Sequence, residues 1–159
     1  MKLRILTTAD ETELAELLTN GQIKQTYMLP DFVHKEDALP LARHLMALSR
    51  EENRFVRGME EAGTLVGFLN DVEIREGSVE LGYVVHPNHW GKGFATAALT
   101  LAIDQLFQKG CRQVLCGAFA ENPASLRVME KAGMQKIEKS DEIEYRGQTH
   151  RCVYYSIKK

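Results

Sequence analysis

The sequence contains no long run of apolar residues. Its charged start, Met1 to Arg4, leads into no hydrophobic signal core, and no stretch approaches the roughly 20 residues that a membrane-spanning helix needs. Charge of one sign is also lacking, because the formal net charge is only −2. Such a chain has no general attraction to nucleic acid or to an anionic membrane surface. These absences predict a cytoplasmic protein that binds neither membrane nor nucleic acid.

Cysteine is scarce as well. The three thiols, Cys111, Cys116 and Cys152, form no CxxC pair and leave one over, which favours reduced packing residues rather than a disulfide framework. His86 and His89 are three residues apart, but two ligands do not make a zinc site. The sequence therefore predicts no metal.

The residues that are present suit one folded domain over residues 1–159. Hydrophobic residues make up 44% of the chain and charged residues 26%, and no repeat, linker or low-complexity segment interrupts it. Periodicity, caps and turn residues predict alternating strands and helices. The predicted strands are 2–7, 55–60, 64–74, 79–85, 114–119, 134–145 and 149–157, and the helices begin near Asp10, Asp37, Gly93 and Asn122. Asp10, Asp37 and Asn122 are the predicted caps, with Pro123 at the first position of the last helix. The order predicts an α/β (α+β) fold: a single mixed, mostly antiparallel sheet of six to seven strands with about four helices on its faces.

The junction between the strand ending at Val85 and the helix starting near Gly93 is the most informative stretch. Gly91, Gly93 and Ala95 leave the backbone bare where this helix begins. The first turn of a helix has unpaired N–H groups and a partial positive charge, so a bare start favours an anion such as a phosphorylated cofactor. The spacing fits neither a Walker loop nor a dinucleotide fingerprint. A tight turn without function would use the same glycines, and this alternative has even odds.

A second block, Asn122 to Met134, follows one strand later. Together the two blocks resemble the GNAT superfamily of acyl-CoA-dependent N-acetyltransferases. The family's first signature, [Gln/Arg]-x-x-Gly-x-[Gly/Ala], falls on Trp90 to Ala95. Its second, Asn-x-x-Ser-x-x-Val-Met-Glu-Lys-x-Gly-[Met/Phe], is matched at each stated position. The Glu-x-Gly-Tyr strand and the Tyr-Arg-Gly hairpin resemble the Rim-type branch, which acetylates protein N-termini, antibiotics and small amines. The resemblance runs from about Phe55 to the C-terminus and is weak before it.

The resemblance implies a GNAT-like acyl-CoA N-acyltransferase fold with acetyl-CoA as co-substrate. Backbone groups of Val84 and Val85 would hold the pantetheine arm, and an N–H there would polarise the thioester carbonyl. Asn122 and Ser125 would also contact the cofactor, and Ser125 is a candidate donor to the departing thiolate. The loop residues that the resemblance assigns to cofactor binding are Trp90, Gly91, Lys92, Gly93, Phe94, Ala95 and Thr96.

The chain departs from the family pattern at two positions. Trp90 stands where Gln or Arg is usual, and Met129 stands where many members carry a tyrosine general acid. The glycine pair still suits phosphate binding. The identity of the general acid is therefore left open.

Glu80 is the predicted general base. An alkyl amine is only about one part in a thousand neutral at pH 7, so a base must remove a proton before or during attack on a thioester. Position in the family favours Glu80 over the alternative of an ordinary strand carboxylate. His86 and His89 are competing bases because their ordinary pKa is near neutrality, although solvated loop histidines are the commoner case.

The predicted activity is acetyl transfer from acetyl-CoA to a primary amine, either a small molecule or a peptide N-terminus, by direct attack in a ternary complex. A catalytically degenerate acyl-CoA sensor is the main alternative, and a nucleotide-binding regulatory domain is a further one. The region with Tyr27, Met28 and Phe32 is a candidate acceptor side or simply core. The closing hairpin, rich in apolar residues from Val153 to Ile157, suggests an edge for a homodimer.

Overall fold

A computed structural model describes residues 1–159 and contains seven strands and four α-helices. The strands are β1 (Lys2–Arg4), β2 (Val56–Glu61), β3 (Thr64–Arg75), β4 (Ser78–Val85), β5 (Gln113–Phe119), β6 (Gln135–Tyr145) and β7 (Gln148–Lys158). The helices are α1 (Glu11–Thr19), α2 (Leu39–Leu48), α3 (Phe94–Gln108) and α4 (Pro123–Lys131). Short 3-10 turns cover Thr8–Asp10, Ile23–Gln25, Lys35–Ala38 and Pro87–His89. This order of strands and α-helices is the predicted one.

The seven strands form one sheet in the order β1-β2-β3-β4-β5-β7-β6. The pairs β1–β2, β2–β3, β5–β7 and β6–β7 are antiparallel, whereas β4 and β5 run parallel from Ser78 to Leu81 against Gln113 to Cys116. The predicted mixed, mostly antiparallel sheet is thus confirmed. Strand β7 lies between β5 and β6, so it is not at an edge of the sheet. The edge on this side of the sheet is β6. The apolar strand β7, expected to offer an edge for a homodimer, is paired on both sides, and the exposed edge is the charged β6. The homodimer stays a prediction.

The chain divides into two compact units. Unit 1 comprises residues 1–70 and 83–98, and unit 2 comprises residues 71–82 and 99–159. The predicted single domain over 1–159 stays a prediction. No helix in the structure is long and apolar enough to cross a membrane.

The core of unit 1 is built from helix residues at i, i+3 and i+4 spacing, which places them on one face. Leu14, Leu17 and Leu18 of α1 are at most 2% exposed, and Leu45 and Leu48 of α2 are also buried. Residues of β2 and β3 complete the same cluster. Burying such side chains contributes roughly 1.5–3 kcal/mol each, which makes this cluster the main stabilising feature of the unit.

Unit 2 buries the second part of α3 and residues of its central strands. Leu99, Ala102 and Leu106 are spaced to lie on one face of α3 and are buried. On the strands, Val114 and Cys116 of β5 are also fully buried. All three cysteines are free and buried, as the sequence predicts.

Two predicted helix caps are wrong. The Asp10 side chain does not cap α1; its carboxylate accepts the Thr7 N–H at 2.7 Å and pairs with Arg4. Asp37 lies inside a 3-10 turn and accepts the His34 N–H, while α2 begins at Leu39. In both places a 3-10 turn precedes the α-helix, so each acidic side chain caps this turn instead. Strand β1 also ends early, at Arg4 rather than at residue 7.

Candidate functional site

The glycine loop of unit 1 joins β4 to α3. Gly91 and Gly93 have φ angles of 73° and 79°, in the left-handed region that favours glycine. A Cβ atom added at either position would meet no atom within 4 Å. These glycines are therefore required by the backbone conformation, and the space beside them is open.

Helix α3 begins directly behind this loop. At this end of the helix the Ala97 N–H donates to the Gly93 carbonyl at 3.0 Å, so the amides of Phe94 and Ala95 precede this bond. The first turn contains no acidic residue, and the Lys92 side chain is exposed. A helix start with a cation and no carboxylate suits an anion. This observation fits a phosphate group at the loop predicted from the sequence.

The side chain of Trp90 ties the loop to the strand before it. Its indole Nε1–H donates to the Val85 carbonyl at 2.7 Å, while the residue stays 49% exposed. The His86 N–H donates to the Val66 carbonyl on β3 at 2.8 Å, which fixes the other side of the strand end. The sequence motif placed Trp90 at the site, but it did not indicate this bond.

His86 has a structural role in the segment between β4 and the glycine loop. His86 Nδ1 accepts the Asn88 N–H at 3.2 Å and so caps the 3-10 turn, and its Nε2 is 3.8 Å from Glu16 Oε1. Burial and the positive charge of Lys92 lower the pKa of His89. Because His86 Nδ1 is already an acceptor for a backbone amide, His86 is poorly placed to act as a general base. No group of three or more His, Cys, Asp or Glu side chains is arranged to hold a metal ion.

Glu80 lies in the part of β4 that belongs to unit 2, paired with Leu115 of β5. Its side chain is half-buried, and this burial raises the pKa of its carboxyl above the ordinary value of 4.5. The positive charge of Lys139 lowers this pKa, and the negative charge of Asp141 raises it. A carboxylate with a raised pKa is a stronger base, which suits proton removal near neutral pH.

Asn122 and Ser125 lie at the start of α4, also in unit 2. The Asn122 side-chain oxygen accepts the Ser125 N–H at 3.3 Å, so the predicted asparagine cap with proline at the first helical position is confirmed. Ser125 is half-buried in the first turn. Met129 is fully buried, so the position where many family members carry a tyrosine here contributes to the core.

The aromatic residues expected near the acceptor belong largely to the core of unit 1. The Tyr27 hydroxyl is 2.6 Å from Asn70 Oδ1, and its ring contacts Phe68 edge to face. Burial raises the pKa of Tyr27 to about 12. Phe32 also packs against this core, whereas Met28 is 50% exposed. Of the three, Met28 is the most exposed to solvent.

A family model described as an acetyltransferase (GNAT) domain matches residues 1–135. The chain belongs to the GNAT acetyltransferase family. The match includes the segment before Phe55, where the family motifs give little signal, because that segment carries neither of the two motif blocks. The family membership agrees with the two blocks on which the resemblance was based.

Two curated relatives are similar over most of their length. The uncharacterized N-acetyltransferase YoaA of Bacillus subtilis is 27% identical over 139 residues, covering 84% of this chain and 78% of the relative. The uncharacterized N-acetyltransferase p20 of Bacillus licheniformis is 26% identical over 141 residues, covering 86% and 79%. Both names agree with an N-acetyltransferase family.

Two solved structures share the fold. Spermidine N-acetyltransferase from Vibrio cholerae, in complex with CoA and spermine, has a TM-score of 0.83 and 20% identity and covers 99% of this chain and 94% of its own. RimL, a ribosomal L7/L12 α-N-protein acetyltransferase in complex with CoA, has a TM-score of 0.87 and 17% identity, covering 98% and 92%. At these identities the likeness shows that the chain has the GNAT fold.

Proposed function

We propose that this protein transfers an acetyl group from acetyl-CoA to a primary amine by direct attack in a ternary complex. The observation that carries the proposal is the open loop with two left-handed glycines ahead of α3, in a chain of the GNAT family. The solved neighbours in complex with CoA support acetyl-CoA as the co-substrate. Acetyl-CoA supplies the activated acetyl thioester.

Unit 1 holds the phosphate end of acetyl-CoA in this proposal. The backbone from Trp90 to Thr96 and the Lys92 ammonium face the pyrophosphate, where helix-start amides and a cation stabilise negative charge. No side chain at Gly91 or Gly93 obstructs this approach. The fit rests on the chemistry of the loop itself, since it combines bare backbone, positive charge and the absence of carboxylates in the first turn.

Val84 and Val85, at the end of β4, have different roles in this proposal. Because backbone groups of successive strand residues point to opposite sides, and the His86 N–H bonds to β3, the Val85 N–H points away from β3. The Val85 carbonyl is already bonded to Trp90. We therefore assign the Val85 N–H to the thioester carbonyl, where a fixed donor stabilises developing negative charge. Val84 is left to position the pantetheine arm by its backbone and by packing.

Glu80 is the general base of the proposal. The acceptor ammonium transfers a proton to the Glu80 carboxylate, directly or through one water, and the neutral amine then attacks. The raised pKa of Glu80 makes this transfer less unfavourable than it would be to an ordinary exposed glutamate. No cysteine takes the role of a covalent nucleophile, because all three are buried and burial raises the pKa of Cys116 and Cys152.

Asn122 and Ser125 complete the proposed cofactor-binding residues from unit 2. Asn122 fixes the start of α4, and the Ser125 hydroxyl is the proposed proton donor to the CoA thiolate as it leaves. Ser125 takes up in return the proton that the attacking nitrogen loses as the amide forms, so the hydroxyl is restored. Met129 cannot take this role, because a thioether has no proton to give.

The acceptor is a primary amine of a small molecule or of a peptide N-terminus. Neighbours named for spermidine and for the ribosomal protein L7/L12 support this class, and the Rim-type motifs favour the same branch. One observation favours a second candidate function, an acyl-CoA sensor without turnover. It is the burial of Met129, which leaves the usual tyrosine donor without a counterpart at its place.

Calorimetric titration with acetyl-CoA, with CoA, ATP and NAD as controls, tests cofactor binding first. Selective binding of the CoA compounds supports the proposal, and preference for ATP or NAD overturns it. Turnover with a panel of primary amines then separates enzyme from sensor. Glu80→Gln should keep acetyl-CoA binding and lose turnover, whereas Glu138→Gln, at an exposed glutamate on β6, should keep both.

A further inference from the structure

One face of the sheet in unit 2 brings Glu80 together with residues of three neighbouring strands. Glu80 pairs with Leu115, Gly117 pairs with Tyr154, and Asp141 pairs with Cys152, which itself pairs with Phe119. Paired residues of adjacent strands point to the same face, and residues two apart on one strand share it. Glu80, Gly117, Tyr154 and Asp141 therefore share a face, and the buried side chain of Cys116 is on the other.

The Tyr154 ring lies against Gly117. A Cβ atom at position 117 would be 2.7 Å from Tyr154 Cε1, so only glycine leaves room for the ring there. The Tyr154 hydroxyl donates to Asp141 Oδ2 at 2.7 Å, and the residue is 6% exposed. The ring is thus held in one position by a backbone on one strand and a carboxylate on another.

Lys139 covers this ring from the exposed strand β6. Its Nζ atom lies 4.3 Å from the centre of the Tyr154 ring, a distance at which the negative face of the ring attracts a cation. Its charge also acts on the carboxyl of Glu80. A primary ammonium on a four-carbon chain therefore occupies an aromatic and acidic position on the Glu80 face.

We propose that the Tyr154 ring and the Asp141 carboxylate form a subsite for an ammonium group of the acceptor, and that Lys139 fills this subsite when no acceptor is bound. A cation held in this way stays protonated and is not a nucleophile. The subsite therefore takes a second ammonium group, while another amine of the same molecule reacts near Glu80. The acceptor class is accordingly a diamine or a longer polyamine. The inference rests on the proposed function, because only acetyl transfer gives Glu80 a reacting amine.

Removing the resident ammonium tests the subsite without acetyl-CoA. Lys139→Ala should tighten binding of butane-1,4-diamine by roughly tenfold, the order expected for an exposed to partly buried cation–aromatic contact. Binding of neutral butan-1-ol should not change. Lys136→Ala is the matched control, because Lys136 is on the same strand but pairs with Tyr155 on the opposite face. It should leave the diamine affinity as in the unaltered protein.

Equal diamine affinities for the Lys139→Ala and Lys136→Ala proteins would overturn the subsite. A second variant pair gives an independent check: adding Asp141→Asn to Lys139→Ala should remove most of the gain, and an undiminished gain would also overturn it. These assays contain no acetyl-CoA. If the protein acetylates amines but Lys139→Ala does not tighten diamine binding, only the subsite is rejected. If the diamine binds as expected but acetyl-CoA does not bind at all, only the proposed function is rejected.

Discussion

The indole N–H of Trp90 donates to the carbonyl oxygen of Val85 over 2.7 Å and closes the segment between β4 and the glycine loop into a fixed turn. Trp90 is the only tryptophan in the chain. The bond satisfies a strand-end carbonyl and fixes the direction of the backbone just before Gly91. A loop held in this way needs less ordering when a ligand binds, and preorganisation of this kind increases affinity.

Trp90→Phe should therefore weaken acetyl-CoA binding by about fivefold, because it removes one hydrogen bond worth roughly 1 kcal/mol and leaves the Val85 carbonyl without this donor. The thermal midpoint should change little, since Trp90 is half-exposed. Calorimetry with acetyl-CoA measures the affinity. Trp90→Gln, which restores the residue type usual in the family, is the companion variant and should bind better than Trp90→Phe. Unchanged affinity in the phenylalanine variant would contradict a role for the bond.

Glu80→Gln should separate activity from stability. In the folded protein burial raises the pKa of Glu80 above 4.5, so the folded state holds this proton more tightly than the unfolded state. The stability that this protonation contributes is present below pH 4.5 and is lost as the pH rises through the higher folded pKa. Glutamine removes this loss, so the variant should be at least as stable as the unaltered protein at pH 7 while losing most of its turnover.

The measurements are kcat/KM against pH and denaturant unfolding at pH 4.5 and pH 7. The unaltered enzyme should lose activity on the acid side with an apparent pKa above 4.5. If Glu80→Gln kept both kcat/KM and its pH profile, another group would be the base.

The order of strands and helices could be predicted from local patterns in the sequence. Asn122 followed by Pro123 is a helix start that depends on neighbouring residues alone, and the periodic leucines of α1 fix its buried face. The position of the glycine loop is also predictable from the sequence, because Gly91 and Gly93 occupy left-handed conformations that other residues rarely adopt. These features could be predicted because each depends on contacts within one or two turns of the chain.

Contacts between distant positions could not be predicted in this way. Asp10 has the right spacing for a capping box with Glu13, yet it pairs with Arg4 after the 3-10 turn redirects its side chain. The placement of Tyr154 against Gly117 depends on the register of two strands that are far apart in sequence. A one-residue slip would move that ring to the other face, and periodicity does not fix which slip occurs.

The Arg4–Asp10 pair should make a clear contribution to stability. Two parallel bonds of 2.8 Å join the guanidinium to the carboxylate, and Asp10 is only 5% exposed. Burial of Asp10 raises the pKa of its carboxyl, but the bonds from Arg4 and from the Thr7 N–H outweigh this and hold it below 3.8. Its contribution is therefore present above pH 3.8 and is lost as the pH falls below that value.

Asp10→Asn should lower the free energy of unfolding at pH 7 by roughly 1.5–3 kcal/mol, because the buried carboxylate loses its charge-assisted bonds to Arg4. Arg4 keeps its ion pair with Glu60. The difference from the unaltered protein should shrink at pH 3. Urea unfolding at both pH values measures this. Glu11→Gln is the control, since Glu11 pairs with the exposed Arg43 and surface pairs contribute little. Equal effects of the two variants would show that burial of the pair does not matter.

Gly67 marks the closest approach of β3 to the end of β4. A Cβ atom there would be 2.1 Å from the Val84 carbonyl oxygen and 3.0 Å from Val85 Cα, so the backbone itself must move to admit alanine. Gly67→Ala should therefore lower the free energy of unfolding by about 2 kcal/mol or more and weaken acetyl-CoA binding, because it displaces Val84 and Val85 together.

Gly21→Ala is the matched control, since its added methyl group meets nothing within 4 Å. Thermal unfolding and calorimetry of both variants measure the effects. Loss of stability without any loss of acetyl-CoA affinity, measured below the unfolding transition, would separate the strand end from the cofactor and contradict the assignment of Val85.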